Sequence, residues 1–587
     1  MSALFGFSGA PAPHWLPAMS AALRHRADVP PELLQSPHGT IGIAGSDDPR
    51  ASSGSMPMYR DADSALAVAG RVYAAGTRLE PDPKWLLAGF REHGMALWPT
   101  LRGQFLIALL DGPNLYLVRD GAGTRSVYYG RYQGRVCFAC EPKGVLAVPG
   151  FPRRLRMGGL AQYLSFSFVP GESTMLEDLH ELPAGHLLCV NADAGIRVQR
   201  YFHFEQVASE ARRDEDTRSD ADWLAEFDAR FSAAVRRRIP QDGQALGVFL
   251  SGGIDSSAVS AELARQHARP LHTFSIHFGR GYPNELEFAR AVADRIGSVH
   301  EEVLIEPRGF LPRLRRMIWH LDEPIGDPIT MPNYELAMRI PEHIRHVFNG
   351  EGGDPVFGGP KNIPMLLQHW YGGLQRPVDF RERAYLASYR RGFEELEHLL
   401  TPEARAQICT QRDLVAPLTP FLQPDESTSF LDKLIAANIR LKGAHLILPK
   451  VERMLGAARL QPLSPFFDED LLRLSFEMPG HLRLAHGIEK VVIKQAMRAH
   501  LPRAIVERPK SGMRVPVNYW FRGELARYAR HILSRRELAR AGLFDPARVG
   551  RLLRYETLEG PGRHGIRLWM LVTFELWRRI VLEREPV

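Results

Sequence analysis

Ser251-Gly-Gly-Ile-Asp-Ser-Ser257 gathers hydroxyls, a carboxylate and two adjacent glycines into one short stretch. Gly252 and Gly253 let backbone N–H groups approach an anion with no Cβ in the way. Ser251 and Ser256 offer hydroxyl donors, and Asp255 offers a hard oxygen of the kind Mg2+ takes. A second glycine-rich acidic stretch, Asn349-Gly-Glu-Gly-Gly-Asp-Pro-Val-Phe-Gly-Gly359, follows the apolar pair Val347-Phe348. Asn349 and Gly350 could complete a nucleotide cradle, and Asp354 could face Asp255 to hold Mg2+ on pyrophosphate. Glu351 lies three residues before Asp354 and could serve as a general base.

The flanking residues say how the first stretch is held. Ala245-Leu-Gly-Val-Phe-Leu250 reads as a buried parallel strand, and Ala258-Val-Ser-Ala-Glu-Leu-Ala264 as a helix. Strand, glycine turn and helix start bring N–H groups and the positive dipole end onto anionic oxygens. The sequence has no Gly-x4-Gly-Lys-Ser/Thr loop of ordinary nucleoside triphosphatases. A Ser-Gly-Gly-x-Asp-Ser loop is typical instead of enzymes that cut ATP between its α and β phosphates. Phe249 and Ile276, near the ends of two predicted strands, are candidates to hold the adenine.

The surrounding pattern is strand–helix alternation: 245–250, a helix, Leu271-His-Thr-Phe-Ser-Ile276, a helix over 284–296, then 300–304. It predicts a doubly wound parallel sheet, with ligands at the carboxyl ends of its strands. Residues 1–205 read as short strands and turns, with a hairpin signal at Asp111-Gly-Pro-Asn114. Residues 206–222, dense in Arg, Asp, Glu and Ser, read as a linker, and 223–587 as the second domain, helical from about 380. Trp223, Leu224, Phe227, Phe231 and Val235 make an apolar helical stripe that ends at Arg236-Arg-Arg238, read as a solvated, dipole-complementing face.

At 587 residues two large domains are expected, and 45% hydrophobic with 24% charged residues is the composition of a soluble globular protein. No apolar run reaches a membrane span, and Met1–Phe7 shows no basic leader or cleavage site. Four cysteines make no disulfide scaffold, so a reduced cytoplasmic location is expected. Cys137 and Cys140 form a lone C-x-x-C in an alternating, strand-like segment, a weak metal signal. The net charge of +7 is scattered over helix surfaces and does not indicate nucleic acid.

The two glycine motifs together resemble the asparagine synthetase family of ATP-dependent amide-forming enzymes, over nearly the whole chain. Arg102-Gly-Gln-Phe-Leu-Ile-Ala-Leu109, Val118-Arg-Asp-Gly-Ala-Gly-Thr-Arg-Ser-Val-Tyr-Tyr129 and Leu182-Pro-Ala-Gly-His186 resemble its N-terminal glutaminase-like domain. Leu321-Asp-Glu-Pro-Ile-Gly-Asp-Pro328, Lys450-Val-Glu-Arg-Met454, Pro465-Phe-Phe-Asp468 and Arg508-Pro-Lys-Ser-Gly512 resemble its synthetase domain. The resemblance implies an α/β chain: an Ntn-type α+β sandwich, then a doubly wound ATP-pyrophosphatase domain with a helical C-terminal part. It also implies ATP and Mg2+ as cofactors. Lys490 stands where the family carries a lysine that steadies pyrophosphate and developing charge, with Lys494 as the competing candidate.

Two departures shape the expected activity. Glutamine-using relatives begin Met-Cys-Gly, and the cysteine frees ammonia; here Ser2 follows Met1, and a serine hydroxyl is a weaker nucleophile. The family's Asn-Gly-Glu glutamine clamp is replaced by Ala69-Gly-Arg-Val-Tyr73, where Arg71 inverts the charge that would hold a glutamine ammonium. The amine must then come from the substrate, as in the β-lactam synthetases and the lasso peptide macrolactam cyclases. Glu351 stands where the β-lactam branch carries Tyr, and Gly358-Gly-Pro-Lys-Asn-Ile-Pro364 resembles the cyclase branch. The expected substrate is a precursor peptide whose Asp or Glu side chain is adenylated and closed onto its N-terminal amine. A leader peptidase and a leader-binding protein would be pathway partners, with no nucleic acid or membrane. A small-molecule amide ligase, like asparagine or β-lactam synthetase, is the alternative.

Overall fold

The computed structural model describes the chain except residues 46–56, 76–81, 192, 194, 206–216, 241–242, 372–378, 390–395, 409–413, 423–428, 510–511 and 557–563. Among the described residues the N-terminal region forms two antiparallel sheets of six strands each. One runs in the order His180–Glu181, Tyr128–Tyr132, Arg135–Ala139, Ala3–Ser8, Gly39–Ala44, Glu32–Ser36. The other runs Ile196–Arg200, His186–Val190, Asn114–Arg119, Leu101–Asp111, Ser64–Ala74, Met58–Arg60. Strand Ala3–Ser8 contacts Ser64–Ala74, and Gly39–Ala44 contacts both Ser64–Ala74 and Leu101–Asp111, so the sheets face each other. Phe5, Phe7, Ile41, Leu66, Phe105 and Ile107 are buried in the apolar core. The hairpin at 111–114 forms as the sequence predicts, Asp111 pairing with Asn114.

The second sheet system is parallel throughout, in the order Val299–Leu304, His272–His277, Ala245–Phe249, Ile344–Phe348, Gln461–Leu463. The first three strands step outward one way, and the next two add on the other side of Ala245–Phe249. The direction in which successive strands are added therefore reverses between Ala245–Phe249 and Ile344–Phe348, the neighbours that deliver the two glycine motifs. A crevice opens at such a switch point in open α/β sheets.

Three readings of the sequence are corrected. Arg238 is no solvated end: it is fully buried, with its Nη1 2.6 Å from Asp468 Oδ2, and Arg237 reaches Asp470 at 3.0 Å. Arg237 and Arg238 form an ion-pair group because Asp468–Asp470 starts a helix packed against the one Arg238 ends, while Arg236 is exposed as read. Helix Asp220–Arg238 also begins inside the stretch read as linker. Ser219 and Asp222 bond each other's backbone N–H reciprocally, a capping box hidden in polar composition. Third, the helix expected over 284–296 begins two residues later, at Leu286. Cys137 and Cys140 are buried, and burial pushes their thiols up to about 12 and about 11. No His, Cys, Asp and Glu cluster suited to a metal occurs among the described residues; Cys409 lies outside them.

Candidate active site

Backbone close approach builds the cradle. Gly252 takes φ +75°, and a Cβ there would lie 2.7 Å from the Ala289 nitrogen. Helix Ile254–Gln266 starts immediately after, with Asp255 in its first turn. Ser251 N–H donates to Ser256 Oγ at 3.1 Å, the two hydroxyls lie 3.0 Å apart, and Gly253 N–H reaches Ser251 Oγ at 3.4 Å. The second motif lies directly on the first: a Cβ on Gly350 would sit 2.4 Å from the Ser256 nitrogen. Any side chain there would push the loops apart, which is why position 350 is glycine.

Lys490 joins the two motifs from a third place in the chain. It is fully buried, and its Nζ donates to Asp255 Oδ1 and Oδ2 at 3.0 and 2.8 Å and to Asp354 Oδ1 at 2.9 Å. Its backbone is left-handed (φ +54°, ψ +42°) where helix Val491–Ala496 begins, an uncommon state for a residue with a Cβ. Lys494 turns away, its Nζ bonding Glu489 at 3.1 Å and the Arg508 carbonyl at 3.4 Å. The geometry thus chooses Lys490 over Lys494 as the lysine at the two motifs.

A cavity of about 290 Å3 opens beside this group, lined by Phe249, Ser251, Asp255, Ser256, Ile276, Asn349, Gly350, Glu351 and Asp354. Those sequence-derived candidates therefore meet in one place; Gly252 and Gly253 shape the loop behind it. Asn349 is buried: its Oδ1 accepts from Ser464 Oγ at 3.0 Å and from the Glu351 N–H at 3.1 Å, while its Nδ2 has no partner among the described residues. An orphaned buried donor, a helix start and a cradle with no room for a Cβ fit an anionic, hydrogen-bond-accepting nucleotide such as ATP. For Mg2+ the donors are two hard carboxylates, Asp255 and Asp354, which suits an ion that takes one or two carboxylates plus substrate phosphates.

Other lining residues carried no isolated signal in the sequence. Lys450 lies 3.2 Å from Asp327 Oδ2, and both line the cavity with Asn333 and Lys442. Glu285 lines it too and is paired with Arg508, which donates to the Gly252 carbonyl at 3.4 Å and lies 3.9 Å over the Phe288 ring. Asp327, Lys450 and Arg508 fall inside stretches recognisable as family motifs. Lys442 does not.

The N-terminal region presents a different picture where glutamine would be held. Arg71 is buried, donates to the Arg238 carbonyl at 3.3 Å and stacks 5.4 Å from the Tyr73 ring centre. Ser2 is buried, its carbonyl accepting from Arg26 Nε at 2.9 Å.

Comparison with known proteins agrees with this division. Residues 226–579 match the asparagine synthase family model, and residues 18–202 match a glutamine amidotransferase domain. A putative glutamine-hydrolysing asparagine synthetase of Mycobacterium tuberculosis is 28% identical over 88% of this chain and 82% of its own length. A glutamine-hydrolysing asparagine synthetase of Bacillus subtilis is 26% identical over 86% and 82%. An amidase of Penicillium rubens is 23% identical over 79% and 77%. With its two glycine motifs, their bridging lysine and a family match over most of its length, this chain belongs to the asparagine synthase family.

Proposed function

We propose that the protein is an ATP-dependent macrolactam synthetase, which activates a peptide side-chain carboxylate and closes it onto the peptide's own N-terminal amine. The carboxylate oxygen attacks the α-phosphorus of ATP and pyrophosphate leaves. The amine then attacks the acyl carbon, AMP leaves, and the amine's extra proton is accepted by Glu351. Phe249 and Ile276 flank the adenine, and Ser251, Ser256 and Gly350 cradle the phosphates. Lys490 offers its ammonium to the charge that develops on the leaving phosphate or the tetrahedral oxygen. Mg2+, held by Asp255 and Asp354, would supply charge neutralisation on pyrophosphate. Holding amine and activated carbonyl together supplies much of the acceleration, on the order of 7–11 kcal/mol for well-oriented intramolecular attack.

The observation that carries the choice of amine is Arg71. A buried cation bonded to the Arg238 carbonyl stands at the clamp position, and a glutamine ammonium would meet like charge there. Ring closure draws support from the 358–364 stretch, which leads into helix Asn362–Tyr371 and ties to the cavity's helical wall. Asn438 Nδ2 donates to Asn362 Oδ1 at 3.0 Å. The relatives named asparagine synthetases support the second reading, an amide ligase on a small acid.

The test supplies ATP, Mg2+ and a leader-trimmed peptide with a free N-terminus and an acceptor Asp or Glu. The cyclase reading expects a product lighter by one water, blocked by acetylating the N-terminus or by changing the acceptor to Asn or Gln. Efficient conversion of aspartate and ammonium to asparagine, with no peptide cyclised, would replace it by the second reading.

A further inference from the structure

The cavity wall opposite in kind to the glycine loops is one continuous helical run, Phe430–Ala437, Asn438–Ile447 and Leu448–Ala457, whose middle third is wound as a π-helix. Such windings are rare and concentrate at functional sites. Pro449, which has no N–H to donate back into the helix, follows the wide turns. One side of this run is bonded to the N-terminal domain. Arg440 donates to the carbonyls of Ala184 at 2.8 Å and Phe202 at 2.7 Å, Arg119 donates to the Ala444 carbonyl at 3.1 Å, and His445 Nδ1 lies 2.8 Å from Glu181. The other side turns Lys442, Leu446, Ile447 and Lys450 into the cavity.

The charges lining that cavity are mostly neutralised in place: Asp255 and Asp354 by Lys490, Asp327 by Lys450, Glu285 by Arg508. Lys442 and Glu351 are left. Each is half-buried, neither side chain has a hydrogen bond or ion pair among the described residues, and no ion pair joins them to each other. A half-buried ammonium without a counter-charge loses hydration for no return until an anion arrives. The phosphate-cradling loops already bring their own cation in Lys490, from a different element. We propose that Lys442 anchors a carboxylate of the acyl substrate other than the one that is activated. The substrate class is therefore acidic in two places, with its amine directed to Glu351. The choice of an acyl substrate rests on the amide-ligase reading above.

The experiment is calorimetry on the full-length protein saturated with AMP, using succinate and its mono-amide succinamate as probes. Wild type should bind succinate about tenfold more tightly than succinamate, the worth of one charge-assisted hydrogen bond. Lys442→Met should bring succinate down to the succinamate level, and Lys442→Arg should keep most of the preference. Affinity for α,β-methylene-ATP with Mg2+ should stay within about twofold in both variants, because Lys442 is assigned no phosphate contact. Equal or no binding of the two probes by wild type overturns the proposal, as does an undiminished preference in Lys442→Met. An equal loss of methylene-ATP affinity would make Lys442 a phosphate ligand instead. Thermal melts confirm that each variant is folded. Absent carboxylate-dependent pyrophosphate exchange alongside an intact, Lys442-dependent succinate preference would remove the ligase reading and leave the anchor.

Discussion

At the N-terminal domain's clamp position and in the C-terminal cavity, buried polar residues are differently committed. Arg71 is bonded to a backbone carbonyl, and nearby buried charges are shared across the domain boundary: Glu452 accepts from Arg26 at 2.9 Å, Arg125 at 3.2 Å and Ser126 at 3.2 Å. In the cavity, the Glu351 and Lys442 side chains and Asn349 Nδ2 have no partner among the described residues. Charges bonded across a domain boundary hold a structure together, whereas side chains without a partner in a cleft await a ligand. On the proposed reading, the difference separates a region kept for architecture from one kept for chemistry.

The comparison breaks most visibly if the cavity's ion trio is dispensable. Asp255→Asn or Asp354→Asn should lower substrate-dependent ATP–pyrophosphate exchange by about 10²–10³ or more, the scale of losing a key charge-stabilising group. Near-wild-type exchange in either variant would strip the trio of its role. Glu351→Gln should lose amide formation by about 10²-fold, as for a general base, while retaining part of the exchange, with AMP appearing through slow hydrolysis. Equal loss of both steps would place Glu351 in nucleotide binding.

On the architectural side, Glu452→Gln should destabilise the fold by about 3 kcal/mol, because Arg26 and Arg125 lose a buried counter-charge. A denaturation midpoint like wild type would show those ion pairs to be ornamental. Two buried acids predict a pH trend. Burial, reinforced by the Asp468 and Asp120 carboxylates, pushes Glu469 up to about 8, and burial beside Glu181 pushes Glu323 up to about 7. Their folded values lie above the ordinary carboxylate value, so the native state binds protons more tightly than the unfolded chain. Stability contributed by these groups is present at low pH and lost as pH rises through about 7 to 8. Glu469→Gln should flatten that decline in denaturation curves recorded across the range; an unchanged slope would reject the assignment. The smallest effect is expected for Ser2→Cys, which should yield no glutamate from glutamine above background while Arg71 remains. Rapid release would restore the N-terminal site to the chemical half of the comparison.

The phosphate loops were legible because their requirements are local: glycine where another backbone passes within van der Waals distance, hydroxyls and a carboxylate at a helix start. Gly350 against Ser256 is such a case. Doubly wound topology followed from strand–helix alternation. Lys490 and Lys494 could not be separated in the sequence because both lie in one short helical segment; only the left-handed backbone at 490 sends that ammonium to Asp255 and Asp354. Lys442 was invisible because it depends on a π-wound segment, which has no hydrophobic period of its own to read. Arg237 and Arg238 were misread for a related reason: a run of arginines looks solvated until the acidic helix that meets it, over 200 residues later, is in place.

Because Arg119, Glu181, Ala184 and Phe202 grip the segment that carries Lys442, the two domains cannot be inherited separately without cost. On the macrolactam reading, the N-terminal domain could not be deleted along with ammonia production, since the deletion would unseat a wall of the active site. Selection would then act on the N-terminal domain through the ligase alone. On that reading its nucleophile and clamp positions are free to drift, while the arginines and carbonyls facing the π-wound run are not.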